Sequence, residues 1–149
     1  MREIKFRAKP VNADYYGEWV EGYYFQDLTN GEIKHYIFNC PVHIEVIPET
    51  VGQFTGLFDK NRHAIYEGDF LRIPSKNKWE EINYPFFEIF WHDNDSADKH
   101  TGWQFNRIHY NKGSICGYHQ LETFLPKYVS RMERIGNIHD NKDLINETT

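Results

Sequence analysis

Cysteine is nearly missing from this chain. Its two copies, Cys40 and Cys116, are distant in sequence and neither sits in a ligand-pair motif. That removes a disulfide framework and a thiolate zinc site, and the pair reads as small core-type residues. Proline (6) and glycine (10) are sparse and scattered, so no low-complexity tract is present. No apolar run is long enough to span a bilayer, and the charged, alternating start Met1–Pro10 does not resemble a signal peptide; the expectation is a soluble, cytoplasmic chain. A basic excess is also lacking. With 22 acidic against 17 basic residues the formal charge is −5, which disfavours a broad phosphate-binding surface. The acidity is too mild and too evenly spread for a protein that imitates DNA.

What the chain does have is aromatic residues: 11 Phe, 10 Tyr and 4 Trp in 149 positions. Rings favour strands, and Tyr and Trp carry polar handles suited to half-buried faces, so a β-rich fold follows. The length suits a single domain over 1–149 with a real core. Ile4, Phe6 and Ala8 alternate with charged residues, the period-two pattern of a half-buried strand. Pro10 and Asn12-Ala13-Asp14 read as a loop. Glu18–Gln26 is predicted as a strand, aromatic on both faces, and Asn30-Gly31 is the strongest hairpin dipeptide. The return strand Glu32–Phe38 ends at Asn39-Cys40-Pro41, and His43–Ile47 is another short strand. Ser75–Asn83 reads as an exposed loop. Phe86–His92 is predicted as a strand with Phe86, Glu88, Phe90 and His92 on one face and Phe87, Ile89 and Trp91 on the other. A strand over Trp103–Tyr110, a helix over His119–Leu125 and a last strand over Tyr128–Ile135 follow. Gly136-Asn137 then bends the chain, and Asn141 is placed to cap a terminal helical turn.

The densest local instructions lie in Gln53–Ile73, QFTGLFDKNRHAIYEGDFLRI. Phe54 and Leu57 flank Thr55-Gly56, a pair suited to a bend. Asp59–His63 is rich in turn formers and reads as a hairpin tip. Ala64–Tyr66 returns as a strand, Glu67-Gly68-Asp69 is a second turn, and Phe70–Ile73 leaves as a strand. Two tight turns this close suit a small barrel or a strongly curved sheet.

The run TGLFDKNRHAIYEGDFL resembles the signature of the YopX family of phage and prophage proteins. Arg2–Ala8 is similar to that family's opening, and Glu133–Ile138 with Asn141 to its close. The resemblance implies a compact, mainly β, barrel-like domain found in phage and prophage genomes, so the expected cytoplasm is that of a bacterial host. It implies no established activity, and hence no catalytic residues or cofactors. The family-motif positions Thr55, Gly56, Asp59, Tyr66, Gly68, Asp69, Gly136 and Asn137 are expected to be structural. The chain departs from the pattern at Arg62, where the family usually has Gly, at Lys9 in place of Trp, and at Lys142 in place of Pro. Either Arg62 or Asn61 takes the left-handed position of that turn.

Three chemical readings compete with an architectural one. His92–His100 gathers His92, Asp93, Asp95, Asp98 and His100 at a strand-to-loop junction, where metal sites occur, but Ala97, Asp98 and Gln104 break the calcium-loop pattern. Asp59, Glu67 and Asp69 offer carboxylates for acid–base work, although an Asp beside a Gly turn also locks corners by bonding backbone N–H groups. Tyr15, Tyr16, Trp19, Tyr23, Tyr24, Tyr36 and Trp103, with Arg72, Arg107, Lys112, Arg131 and Arg134, could bind single-stranded nucleic acid by stacking. No phosphate-cradling glycine loop or nucleophile elbow is present. The reading that follows is an all-β, non-enzymatic binding or assembly module that forms a homo-oligomer. Single-stranded nucleic-acid binding stands second, and a metal-dependent enzyme using His92–His100 third.

Overall fold

The computed structural model describes residues 2–83, 85–92, 102–109, 113–119 and 126–146. Among them the chain is mainly β. In order it forms β1 (Phe6–Ala8), α1 (Ala13–Tyr16), β2 (Val20–Thr29), β3 (Glu32–Asn39), β4 (Val42–Glu45), a 3-10 turn (Pro48–Thr50), β5 (Gly52–Phe58), β6 (Ala64–Tyr66) and β7 (Asp69–Arg72). It continues through α2 (Lys78–Asn83), β8 (Phe86–His92), β9 (Gly102–His109), β10 (Gly113–His119), α3 (Pro126–Val129), β11 (Glu133–Asn137) and α4 (Asp143–Asn146). The strands make two antiparallel sheets, ordered β4-β3-β2-β1-β5-β6 and β10-β9-β8-β7-β11. The fold class expected from composition and pattern holds. The chain divides into two compact units, Met1–Gly56 and Leu57–Thr149.

In the first unit the Asn30-Gly31 turn fixes everything around it. Asn30 has φ 54° and Gly31 φ 79°, both left-handed, and Thr29 pairs directly with Glu32. A two-residue turn of that kind matches the twist of its strands, so the register is set for the whole β2–β3 ladder. On one face of that ladder Val20 and Ile37 join Ala8, Ile44 and Val46 in a core, with Phe6, Tyr16, Tyr24 and Val51 packed against it. Truncating Ile37, which is fully buried, would cost about 3 kcal/mol.

The second unit buries both faces of its sheet. Leu71, Ile89, Trp103 and Phe105 pack with Ile65, Val129 and Met132 on one side. Phe70, Phe86 and Ile108 pack on the other, covered by Ile135, Ile138 and Leu144. The apolar run Phe70-Leu71 reflects this, since a strand covered on both sides has no polar face.

Several local expectations are corrected. Ala13–Tyr16 is a helical turn because the Asn12 side chain accepts the Tyr15 N–H. Lys78–Asn83 is a helix, not a loop: Asn77 Oδ1 accepts the Glu80 N–H at 2.9 Å while the Glu80 carboxylate accepts from Lys76 N at 2.7 Å. That reciprocal pairing is close to a capping box. The segment from 128 splits into the end of α3 and the start of β11. Asn141 does not cap α4 with its side chain, which accepts the Asn137 N–H instead. Cys40 is exposed in a turn, not a core residue. The predicted helix over 119–125 lies outside the described residues except His119, which ends β10.

Candidate functional site

The central motif builds two corners, and its carboxylates hold them. Asp59 closes the β5–β6 hairpin. Its Oδ1 accepts the N–H groups of Asn61 and His63, both at 2.8 Å. Its Oδ2 accepts the Arg134 N–H at 2.9 Å and lies 3.2 Å from His63 Nδ1. The side chain is fully buried. Burial pushes its pKa up, but the amides of Arg134 and His63, the His63 ring and the Asn61 amide together pull harder, and the carboxyl sits below the ordinary aspartate value. Arg134 in turn donates from its guanidinium to the Ala64 carbonyl at 3.0 Å. Asp59 therefore ties the hairpin tip to β11, 75 residues away.

The second corner passes the chain from the first sheet to the second. β6 and β7 belong to different sheets although only Glu67 and Gly68 separate them. Gly68 has φ 88°, and a Cβ there would meet Ile138 at 3.2 Å. Its N–H donates to the Ile89 carbonyl at 2.7 Å, and its carbonyl accepts from Ile138 at 2.9 Å. Asp69, fully buried, accepts the Tyr66 N–H at 2.8 Å across the turn. Arg62, not Asn61, occupies the left-handed position of the hairpin tip, with φ 64°.

The closing motif is a third corner. Register shifts between Arg134 and Gly136 against β7, the signature of a bulge. A Cβ on Gly136 would stand 2.3 Å from Asn141 Oδ1, the atom that accepts the Asn137 N–H. Asn137 Oδ1 accepts from His139 and Asp140, and its amide donates to Asp140 Oδ2. Thr55 is buried and Gly56 lies within β5 with φ 87°; Tyr66 is buried in β6. Asp59 and Asp69 thus bond the backbones of separate turns.

The other candidate surfaces fare differently. Asp93, Asp95, Asp98 and His100 lie outside the described residues, as does the side chain of His92. Among the described residues no group of three or more His, Cys, Asp or Glu is placed to hold a metal ion. Of the rings chosen for base stacking, Trp103 is buried, and Tyr24 faces the core with its hydroxyl 2.6 Å from His35 Nδ1. Trp19 is covered by Arg7 and Lys9, and Tyr16 packs on the core. Arg72 pairs with Glu133 at 3.1 Å. The Arg107 side chain and Lys112 lie outside the described residues.

One face stands out instead. On the side of β2–β3–β4 away from the core, the register aligns Tyr23 with Phe38, Phe25 with Tyr36 and Phe38 with His43. Phe25 stacks on Tyr36 with centroids 5.3 Å apart, and His43 meets Phe25 and Phe38 edge-on at 5.3 and 5.2 Å. Tyr23 is 65% exposed, His43 is exposed, and the other three rings are half-buried. The sequence reading named Tyr23 and Tyr36 but missed Phe25, Phe38 and His43. Counting back from the Asn30-Gly31 turn pairs Phe38 with Tyr23 and Phe25 with Tyr36, whereas His43 joins them only through the separate β3–β4 register. Beside Tyr23 lies a shallow cleft of about 260 Å³, bordered by Glu3, Ile4, Lys5 and Glu21.

Comparison with known proteins gives a family and a fold. The family profile described as YopX protein matches residues 5–146. The crystal structure of protein EF1440 from Enterococcus faecalis is similar, with 20% sequence identity and a TM-score of 0.50 over 97% of this chain and 99% of that one. No curated protein matches the chain.

Proposed function

The chain belongs to the YopX protein family, and from that premise we propose that it is a non-enzymatic binding or assembly module. On this reading it originates from a phage or prophage and acts in the cytoplasm of a bacterial host. Its working surface is the aromatic face of β2, β3 and β4. One observation carries the proposal: the rings of Tyr36, Phe25, His43 and Phe38 touch one after another on a sheet face that solvent reaches, with exposed Tyr23 paired opposite Phe38. Monomeric proteins seldom keep such a cluster unless something covers it, and aromatic residues are enriched where proteins meet. The motif carboxylates support the non-enzymatic half, because both oxygens of Asp59 and Oδ2 of Asp69 accept backbone amides of their turns. No helix among the described residues is long and apolar enough to cross a membrane.

The test is NMR shift mapping of the backbone amides in three titrations: the protein's own dilution series, oligothymidylate, and a library of short unstructured peptides. Shifts gathered at Tyr23, Phe25, Tyr36, Phe38 and His43 in at least one titration are expected. Shifts gathered instead at the Asp59 or Asp69 corners would overturn the reading. Concentration-dependent shifts in the dilution series would identify the occupant as a second copy of the chain.

A further inference from the structure

The charges around the rings say which occupant fits. Cross-strand register puts Glu21, Asp27, Glu32 and Glu45 on the same face as the rings, with Lys34 the one cation among these β2–β4 positions. Lys34 reaches Glu45 at 3.9 Å, and Lys5 reaches Glu21 at 3.9 Å and Glu3 at 4.0 Å. Those are loose pairs. The Glu21 and Glu45 side chains remain 55% and 42% exposed. Lys34 stands directly opposite Asp27, and β1 adds Arg7, with Lys5 just before it, at the Glu21 end, so the excess of carboxylates lies over β2–β4 beside the rings. Carboxylates next to a π-rich centre attract a cation able to lie flat on a ring while its N–H groups reach them. Arginine does both, whereas lysine, a compact point charge, reaches carboxylates but cannot lie flat on a ring.

The same sheet face already contains one such contact. Arg7, directly opposite Glu21, holds its guanidinium carbon 4.5 Å from the centre of the Trp19 ring, and Lys9 lies 5.4 Å from it. Farther along the face, Tyr23, Phe25, Tyr36 and Phe38 offer rings beside carboxylates. β4 is the end strand of its sheet, which suits an extended chain lying alongside.

Resting on the binding-module reading, we propose that this face takes an extended, arginine-bearing segment of a partner protein. A second copy presents the same excess of carboxylates, so like charges would oppose one another across a two-fold contact. Nucleic acid meets the same repulsion from its phosphates.

Fluorescence anisotropy with a labelled peptide of alternating arginine and glycine tests this, beside its lysine and glutamate counterparts and oligothymidylate. The arginine peptide should bind at least about fivefold tighter than the lysine peptide, with no binding of the other two. Tyr23→Ser should weaken it about fivefold, and so should Asp27→Asn with Glu45→Gln. Because Tyr23 is exposed, its replacement leaves the core untouched. Glu81→Gln with Asp143→Asn removes the same formal charge from exposed positions of the second unit and should change nothing. Equal affinity for arginine and lysine peptides would overturn the proposal, and so would equal loss in both carboxylate pairs. Tighter binding of oligothymidylate would do the same. If the face shifts on self-dilution or with oligothymidylate while the arginine peptide does not bind, the arginine assignment falls and the binding surface stands. If the peptide binds but maps elsewhere, both fall.

Discussion

Arg62 is the residue most at odds with its backbone. At φ 64° a side chain with a Cβ is strained by roughly 1–2 kcal/mol, and no glycine relieves it here. Arg62→Gly removes that strain, although glycine's greater freedom in the unfolded chain takes back about 0.4–1 kcal/mol. The expected outcome in urea unfolding is stability equal to or slightly above that of the native sequence. Arg62→Val, β-branched at the same position, should lose about 1 kcal/mol or more. Gly136 shows the opposite case, a glycine demanded by a neighbour. Gly136→Ala should cost about 2 kcal/mol, because the new methyl and Asn141 Oδ1 claim one space. Asn141→Ala vacates that space, so the double variant should cost less than the two losses added, a coupling read from a double-mutant cycle. Both effects depend on which atom stands opposite a backbone position. A sequence names the glycine but not the atom it must avoid.

At the scale of elements, Asp59 links a hairpin tip to β11, and its ionisation makes that link depend on pH. Its folded pKa lies below the unfolded value of about 3.9, so its contribution is fully present above that value. It drains away as pH falls through the lower, folded pKa. The native protein should therefore lose stability between about pH 5 and pH 2 more steeply than Asp59→Asn, measured by urea midpoints across that range. Parallel curves would mean that the carboxylate's charge contributes nothing. Legibility at this scale was uneven for physical reasons. The Asn30-Gly31 turn, the faces of β8 and the two corners of the central motif were readable because each rests on local dihedral preference or period-two alternation. The helix at Lys78–Asn83 was hidden by its polar composition, since its support is a side-chain cap rather than an apolar stripe. The split between α3 and β11 was hidden as well. There Val129, ending α3, and Met132, in the turn before β11, are buried in the same cluster, and spacing alone does not separate them.

At the scale of the molecule, the mainly β class was written in the aromatic and β-branched composition, while the division of strands between two sheets was not. A switch of sheets at Glu67-Gly68 looks, residue by residue, like any tight turn. The aromatic face lay between these extremes, because its rings are scattered over Tyr23–His43 and become a cluster only once register is known. Architecture falls to the buried motif and binding to the exposed rings, and these roles predict unequal stability costs. Asp59→Ala strands three amide donors and should cost about 3 kcal/mol or more. Tyr23→Thr with Phe25→Thr gives up only cross-strand ring contacts and should cost less than about 2 kcal/mol. Urea unfolding of these two variants side by side is the most direct test. A large loss for Asp59→Ala beside a small one for the ring pair is the predicted result, and the reverse order would contradict it.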